Sequence, residues 1–388
     1  MIWPKIISSR FYQYTKRGPT LKSRILPSWI IAGIFFCLVP ALSQMPTKQT
    51  TSGRLAVSVP VGETSKFTLA TVPQGREVLG RIDAYIQNQT AWERGARMNK
   101  IAEVSAEDYA KFCQQQVLDW TDAERRAMSA AMKTLAEQVK PYARWMPPEV
   151  LIVKTSGHEE YGGAYTRSNA IMIESYKMRG YVSAGVLAHE LWHVISRHRT
   201  ELRDEMYAVL GFHYCGPVQW TAPLDRLRVT NPDCPLNQHS IKIRYKGQEY
   251  MAMPIMYAKT ERFGIDVNNR LGIFKNARLL LVKPTASGTG VEAVMKNDKP
   301  LLLNFGKAQN FREQVGYNTD YLDHPEETIA DNFEILVGGR KPRSPEITAR
   351  LKNVLLSLYQ DKVAKEMEGV PQLQQGGLGQ IVICALMP

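Results

Sequence analysis

The sequence predicts a mixed α/β (α+β) fold: a small mixed sheet packed on one buried helix, a helical C-terminal part, and a β-containing insert. Three observations carry this. "VLIVKT" (Val150–Thr155) is short and rich in β-branched residues, as a strand should be. "LAHELWHVIS" (Leu187–Ser196) is apolar on almost every side, the pattern of a helix enclosed in a core. Between about 199 and 319 the pattern changes to repeated short strands, after which helical spacing resumes. With 388 residues, 44% of them hydrophobic, the chain can bury a substantial core.

The first 43 residues differ in kind. They carry Lys5, Arg10, Lys16, Arg17, Lys22 and Arg24 with no acid, then the apolar run Trp29–Leu42. That run is short for a bilayer span, and Ala41 and Ser43 suit a small-residue cleavage site before Gln44. A secretory signal over residues 1–43 is therefore expected, with the mature chain exported to the periplasm or medium. The alternative is an uncleaved N-terminal anchor, the one membrane contact the sequence offers. Cys37 follows Ile34, Phe35 and Phe36, unlike a lipoprotein box. The formal charge is +12, and the six basic leader residues account for half of it. No Lys/Arg block interleaved with aromatics points to nucleic acid.

Residues 44–95 are expected to be extended or loosely ordered, and residues 96–388 to form one domain with the insert at about 199–319. Ser105 and Thr121 start two helices, the second through a Thr-x-x-Glu capping box ending near Val139. Val150–Thr155 and Gly162–Glu174 are read as neighbouring strands, followed by a helix over Ser183–His198. In the insert, a hairpin should turn at Lys246-Gly247, a second pair of strands should span Lys275–Asp298 around "TASGTG", and "KPLLLNFG" should be a further strand. Pro325 suits the first turn of a helix, and a last helix should enter at Ser344 and reach about Tyr359. Outside the leader stand Cys113, Cys215, Cys234 and Cys384. Export permits disulfides, with Cys215–Cys234 the favoured pair and buried thiols the alternative.

The chemistry centres on His189-Glu190-x-x-His193. A spacing of four puts both imidazoles on one helix face, where they can reach one zinc ion at about 2.0–2.1 Å. Glu190 lies beside them, placed to take a proton from a metal-bound water and pass it to a leaving amine. A catalytic zinc wants a third protein ligand and an open position. His198 stands five residues past His193 rather than six, with no glycine between, so the metzincin pattern does not apply.

"PEETIADNFEIL" (Pro325–Leu336) supplies an E-x-x-A-D segment, Glu327 to Asp331. With His189-Glu190-x-x-His193 it resembles the gluzincin zinc metallopeptidases. The resemblance implies a zincin-like fold, one Zn2+ held by His189, His193 and Glu327, and Asp331 accepting the other ring N–H of a ligating histidine. It also implies hydrolysis of a protein or peptide substrate, whose extended backbone would pair with the exposed edge of the strand in "GGAYTRSNAIMI", approached at Gly162 and Gly163. The specific part is confined to Ala188–His193 and Glu327–Asp331, and Glu327 follows His193 by 134 positions, a long separation. Glu326 is a rival ligand or a solvated acid at the helix start. Tyr165, Tyr317, Tyr321 and His324 are available to stabilise an oxyanion, none singled out by spacing. The alternatives are a non-catalytic zinc-binding scaffold with a degenerate zincin domain, or a hydrolase of cell-wall peptides. Oligomeric state is not encoded in any readable pattern.

Overall fold

The computed structural model describes residues 57–368 except 101, 161, 176–182, 259–263, 266–270 and 273–274. The expected leader, Gln44 and Cys384 lie outside these residues. Of residues 44–95, expected to be extended or loosely ordered, the described part from 57 on is instead built of strands and helices. A hairpin of β1 (Ser58–Val61) and β2 (Ser65–Leu69) leads into helices α1 (Val72–Leu79), α2 (Ala84–Asn88), α3 (Ala91–Arg97) and α4 (Ala106–Gln115). Val59, Val61, Phe67 and Leu69 are buried in the main core, which is what orders this Thr/Ser-rich stretch.

Helix α5 (Asp122–Val139) has the expected capping box: Thr121 Oγ1 accepts from Glu124 N–H and Glu124 Oε2 accepts from Thr121 N–H. Strands β3 (Val150–Thr155), β4 (Tyr165–Arg167) and β5 (Ala170–Glu174) complete the first sheet, ordered β1-β2-β3-β5-β4. β3 runs parallel to β2 and β5, while the two ends of the sheet are antiparallel pairs. Gly162–Glu174, expected as one strand, is a loop and a tight hairpin, because Ser168 takes a positive φ of 54° and folds the chain back. Gly162, at φ 81°, serves that loop. Both faces of the sheet are covered, which explains why β3 reads as continuously apolar. Val150 and Ile152 face one core with α5 and α6 (Ala184–His198), while Leu151 and Val153 face a second with α1, α2 and α4.

α7 (Thr200–Val209) follows α6 directly and packs on α6, α10 (Pro325–Val337) and α11 (Pro345–Glu368), so it belongs to the helical part and not to the insert. The insert begins at β6 (Phe212–Tyr214), then β7 (Val218–Gln219), α8 (Ala222–Leu227), β8 (His239–Tyr245) and β9 (Gln248–Ala258). β10 (Gly264–Ile265), β11 (Leu271–Gly272), β12 (Lys275–Pro284), β13 (Val291–Ala293), β14 (Met295–Lys296), β15 (Lys299–Pro300), β16 (Leu302–Leu303) and α9 (Phe311–Val315) follow.

Its main sheet runs β6-β8-β9-β12-β13-β7, with β16 also on β12. The β8–β9 hairpin turns at Lys246-Gly247 as expected, both at positive φ, and β12 pairs with β13 around "TASGTG". "KPLLLNFG" is split between β15 and β16. One face of this sheet, with Ile241, Ile243 and Leu279, joins the main core; the other, with Met253, Ile255 and Leu280, packs on Leu224 of α8. The insert thus shares the core. Helix α11 runs to Glu368, past the expected end. Cys113, Cys215 and Cys234 are free thiols, so the favoured Cys215–Cys234 bridge is not formed. Among the described residues no helix is long and apolar enough to cross a membrane.

Candidate metal centre

Two helices build the site. Ser183 caps α6 by accepting the N–H of Val186 at 3.2 Å, and the helix then buries Leu187, Leu191, Trp192 and Ile195. What remains on one face is His189 and His193. Helix α10 crosses against α6, with Phe333 on Trp192 at 5.8 Å between ring centroids. His324 starts α10: its Nδ1 accepts the N–H of Glu326 at 3.1 Å, and Pro325 takes the first position. This sets Glu326 and Glu327 in the first turn, where the helix N-terminus favours negative charge, and Asp331 one turn on.

His189 Nε2 lies 3.2 Å from Glu327 Oε2, and His193 Nε2 lies 3.6 Å from the same oxygen. The two rings stand 5.0 Å apart at 77°. Each imidazole turns its other nitrogen to a carboxylate, His189 Nδ1 to Asp331 Oδ1 at 3.0 Å and His193 Nδ1 to Glu326 Oε1 at 2.9 Å. Since an ionised carboxylate can only accept, both Nδ1 atoms donate, and in the neutral rings both Nε2 lone pairs are left for the common point. Thr319 Oγ1 donates to Asp331 in turn.

Glu326 is neither solvated nor a member of this convergence. It is 1% exposed, and besides His193 it accepts from Ser196 Oγ at 2.5 Å and the Tyr207 hydroxyl at 2.5 Å. The first turn of α10 points both its glutamates at α6, and α7 brings Tyr207 up behind the first of them. Glu326 and Asp331 therefore play matching parts, one for each histidine.

Two further residues come from the insert and were not picked out in the sequence. Asn231 Nδ2 donates to Glu327 Oε1 at 2.5 Å, and an Asp233 carboxylate oxygen lies within 4.8 Å of ligand atoms of both Glu190 and His193. Both lie in "TNPDCPL", a loop whose prolines mark a turn but whose destination no local pattern states.

The electrostatics suit a bound cation. Five carboxylates, Glu190, Asp233, Glu326, Glu327 and Asp331, surround two imidazoles, a surplus of acids in a place from which water is largely excluded. Burial, the Asp233 charge and Glu327 push the Glu190 carboxyl up to about 8, against the pull of the histidines. Burial works against a charged His193, yet Asp233, Glu327 and Glu326 outweigh it and raise that ring to about 9. His193 Nε2 and Glu190 Oε2 are buried with no hydrogen-bond partner. Buried polar atoms are seldom left so, and each such atom carries a penalty of about 1–3 kcal/mol. A divalent cation held there would displace the proton from His193 Nε2, coordinate that nitrogen and offset the surplus charge. The donors His189, His193 and Glu327 lie within 4.8 Å of one another, and among the described residues no fourth side chain joins all three.

Of the four oxyanion candidates, the structure leaves one at the site. Tyr165 donates to Glu159 Oε1 at 3.1 Å in the other core. Tyr317 is exposed under Arg312. His324 is committed to its cap, with burial holding its pKa down to about 4. Tyr321 lies over His189, rings 6.4 Å apart and 6° from parallel.

Of the stretch expected to receive substrate on one exposed edge, only β4 is an outer strand of the first sheet, while β5 lies inside it. The β4 edge is not open: Thr166 is 0% exposed, and its N–H donates to Asp233 Oδ1 at 2.7 Å. Comparison with family models, with curated proteins and with solved structures found no match, so the chain's own geometry carries the functional argument.

Proposed function

We propose that the protein is an exported, single-zinc metallopeptidase of the gluzincin kind, with His189, His193 and Glu327 as ligands and Glu190 as general base. The observation that carries this is the pairing of two helices: each histidine of α6 has its Nδ1 taken by a carboxylate of α10, and both Nε2 atoms meet Glu327. Metal sites need this outer support to hold tautomer and ring orientation. A structural site is usually closed by four protein donors; among the described residues the one group that includes both histidines holds three, His189, His193 and Glu327, in keeping with a catalytic site that keeps a position open.

A zinc ion so held supplies Lewis-acid polarisation of a carbonyl and acidifies water. The chain does the rest. Glu190, with its orphaned oxygen beside the convergence, takes the proton from the attacking water and delivers it to the leaving amine. Burial and the neighbouring Asp233 charge both favour the protonated form of its carboxyl, the direction that aids delivery of the proton to the amine. Tyr321, whose ring stacks on His189, is the candidate to steady the developing oxyanion.

The test is Glu190→Gln beside the wild type, reading bound zinc and hydrolysis of a casein digest. Zinc retained with cleavage reduced about 100-fold or more supports the reading; cleavage at the wild-type rate overturns the assigned base. A second reading, hydrolysis of cell-wall peptides, is separated by running a peptidoglycan digest in parallel. The third, a non-catalytic zinc scaffold, draws on the covered edge at Thr166 and predicts zinc without cleavage of either.

A further inference from the structure

The residues that cover the site form one short segment, and its anchoring is uneven. At its start, Thr230 N–H and Oγ1 donate to the two carboxylate oxygens of Glu93 at 2.8 and 2.9 Å, and Arg97 donates to the Thr230 carbonyl at 2.7 Å. Glu93 and Arg97 are themselves a buried ion pair, so this end is fixed. Beyond it the segment crosses the site. Asn231 binds Glu327, and Asp233 Oδ1 receives both the N–H and the hydroxyl of Thr166, each at 2.7 Å. Arg197, in the last turn of α6, reaches Thr166 Oγ1 at 3.0 Å and the carbonyls of Pro232 and Asp233 at 3.4 and 3.3 Å.

What holds Pro232–Leu236 down is polar. None of these five residues is fully buried, and Leu236 stands 45% exposed. Segments secured by a few hydrogen bonds and little apolar burial open locally at far lower free energy than the core. Yet this one occupies the donor at the sheet edge to which an extended peptide would add, and places a carboxylate beside Glu190 and His193. A small cavity lined by Asn231, Cys234, Pro235 and His324 borders the segment, with room for about one water.

We propose that residues 230–236 are an autoinhibitory strap: hinged at Thr230, they lie where the substrate backbone must lie, and the enzyme is latent until Pro232–Leu236 lifts away. This rests on the metallopeptidase reading above. Asp233 holds the Thr166 donors through its side chain, so a substrate that offers a backbone carbonyl to the same N–H replaces it directly.

The experiment uses the mature chain loaded with Co2+, whose absorption spectrum reports the ligand set independently of turnover. Asp233→Ala and Arg197→Gln each remove strap contacts and none of the three ligands. The strap predicts an unchanged cobalt spectrum, at least tenfold faster cleavage of a quenched fluorescent casein, and at least tenfold faster stripping of the metal by dipicolinate. An unchanged spectrum with neither rate raised overturns the strap and leaves the metal centre standing. A wild-type chain that binds no cobalt overturns the metal centre and the strap together. Should both variants fail to fold, the wild type decides: a benzyloxycarbonyl-dipeptide hydroxamate must raise amide exchange across 232–236 while it protects Thr166, and binding with 232–236 exchange unchanged overturns the proposal.

Discussion

His193 shows how much a single side chain here depends on its neighbours. Its Nδ1 is held by Glu326, which accepts in turn from Ser196 and Tyr207, and these bonds keep Nε2 turned toward Glu327. Glu326→Ala and Asp331→Ala should each weaken zinc binding by about 10–100-fold without removing a ligand, read by competition with a fluorescent chelator; an unchanged affinity in both would take the supporting role away from them. Cys113 is a contrast case. Burial pushes its thiol up to about 12, so it should resist iodoacetamide at pH 8 in the native chain and react once guanidinium unfolds it. His189, Glu190 and His193 were legible because one helix carries all three at fixed spacing. Glu327 and Asp331 followed only through a resemblance. Glu326 was misjudged, since the sequence places it at a helix start but cannot say that another helix covers that start. Asn231 and Asp233 were invisible, because their position depends on how the loop leaves a sheet assembled from distant strands.

At the level of elements, the local signals held where they were chemical and slipped where they were positional. The Thr121 capping box, the Lys246-Gly247 turn and the Pro325 entry all form as expected, each being a contact among a few adjacent residues. The hairpin at Ser168 was missed because a non-glycine residue supplies the positive φ. Close packing of α1 on the first sheet depends on Gly75, where an added Cβ would meet Val117 and Val153 methyls at 2.8 Å. Gly75→Ala should therefore destabilise by about 1–3 kcal/mol in urea melts with the m-value unchanged. The loop between β3 and β4 gives a pH signature. Burial raises the Glu159 carboxyl to about 7. Between the ordinary carboxylate range and pH 7 the folded chain keeps a proton the unfolded chain has lost, so this group's contribution to stability falls as pH rises through that window and levels off above it. The loss is about 3 kcal/mol at most. Glu159→Gln should flatten that slope in melts from pH 5 to 8; a slope equal to that of the wild type would place the titration elsewhere.

For the molecule as a whole, the insert decides what the site can do. The class of fold, α and β mixed with a buried central helix, was readable from periodicity alone, whereas the shared core between the insert sheet and the helical part was not, because it joins residues far apart in sequence, such as Ile241 and Leu279 with Phe311 and Leu351. That shared core fixes the far side of the insert, and its loop at 230–236 then reaches the metal position. On the proposed reading, zinc binding should stabilise the whole chain rather than a local patch, because α6, α10 and the insert loop all meet at the His189, His193 and Glu327 group. The most direct measurement is metal content of the purified chain after zinc loading and dialysis, wild type beside His193→Ala. The account predicts one zinc per wild-type chain, a higher melting temperature that the chelator reverses, and neither in His193→Ala; a folded wild type that holds no zinc, or a His193→Ala chain that holds as much, contradicts it.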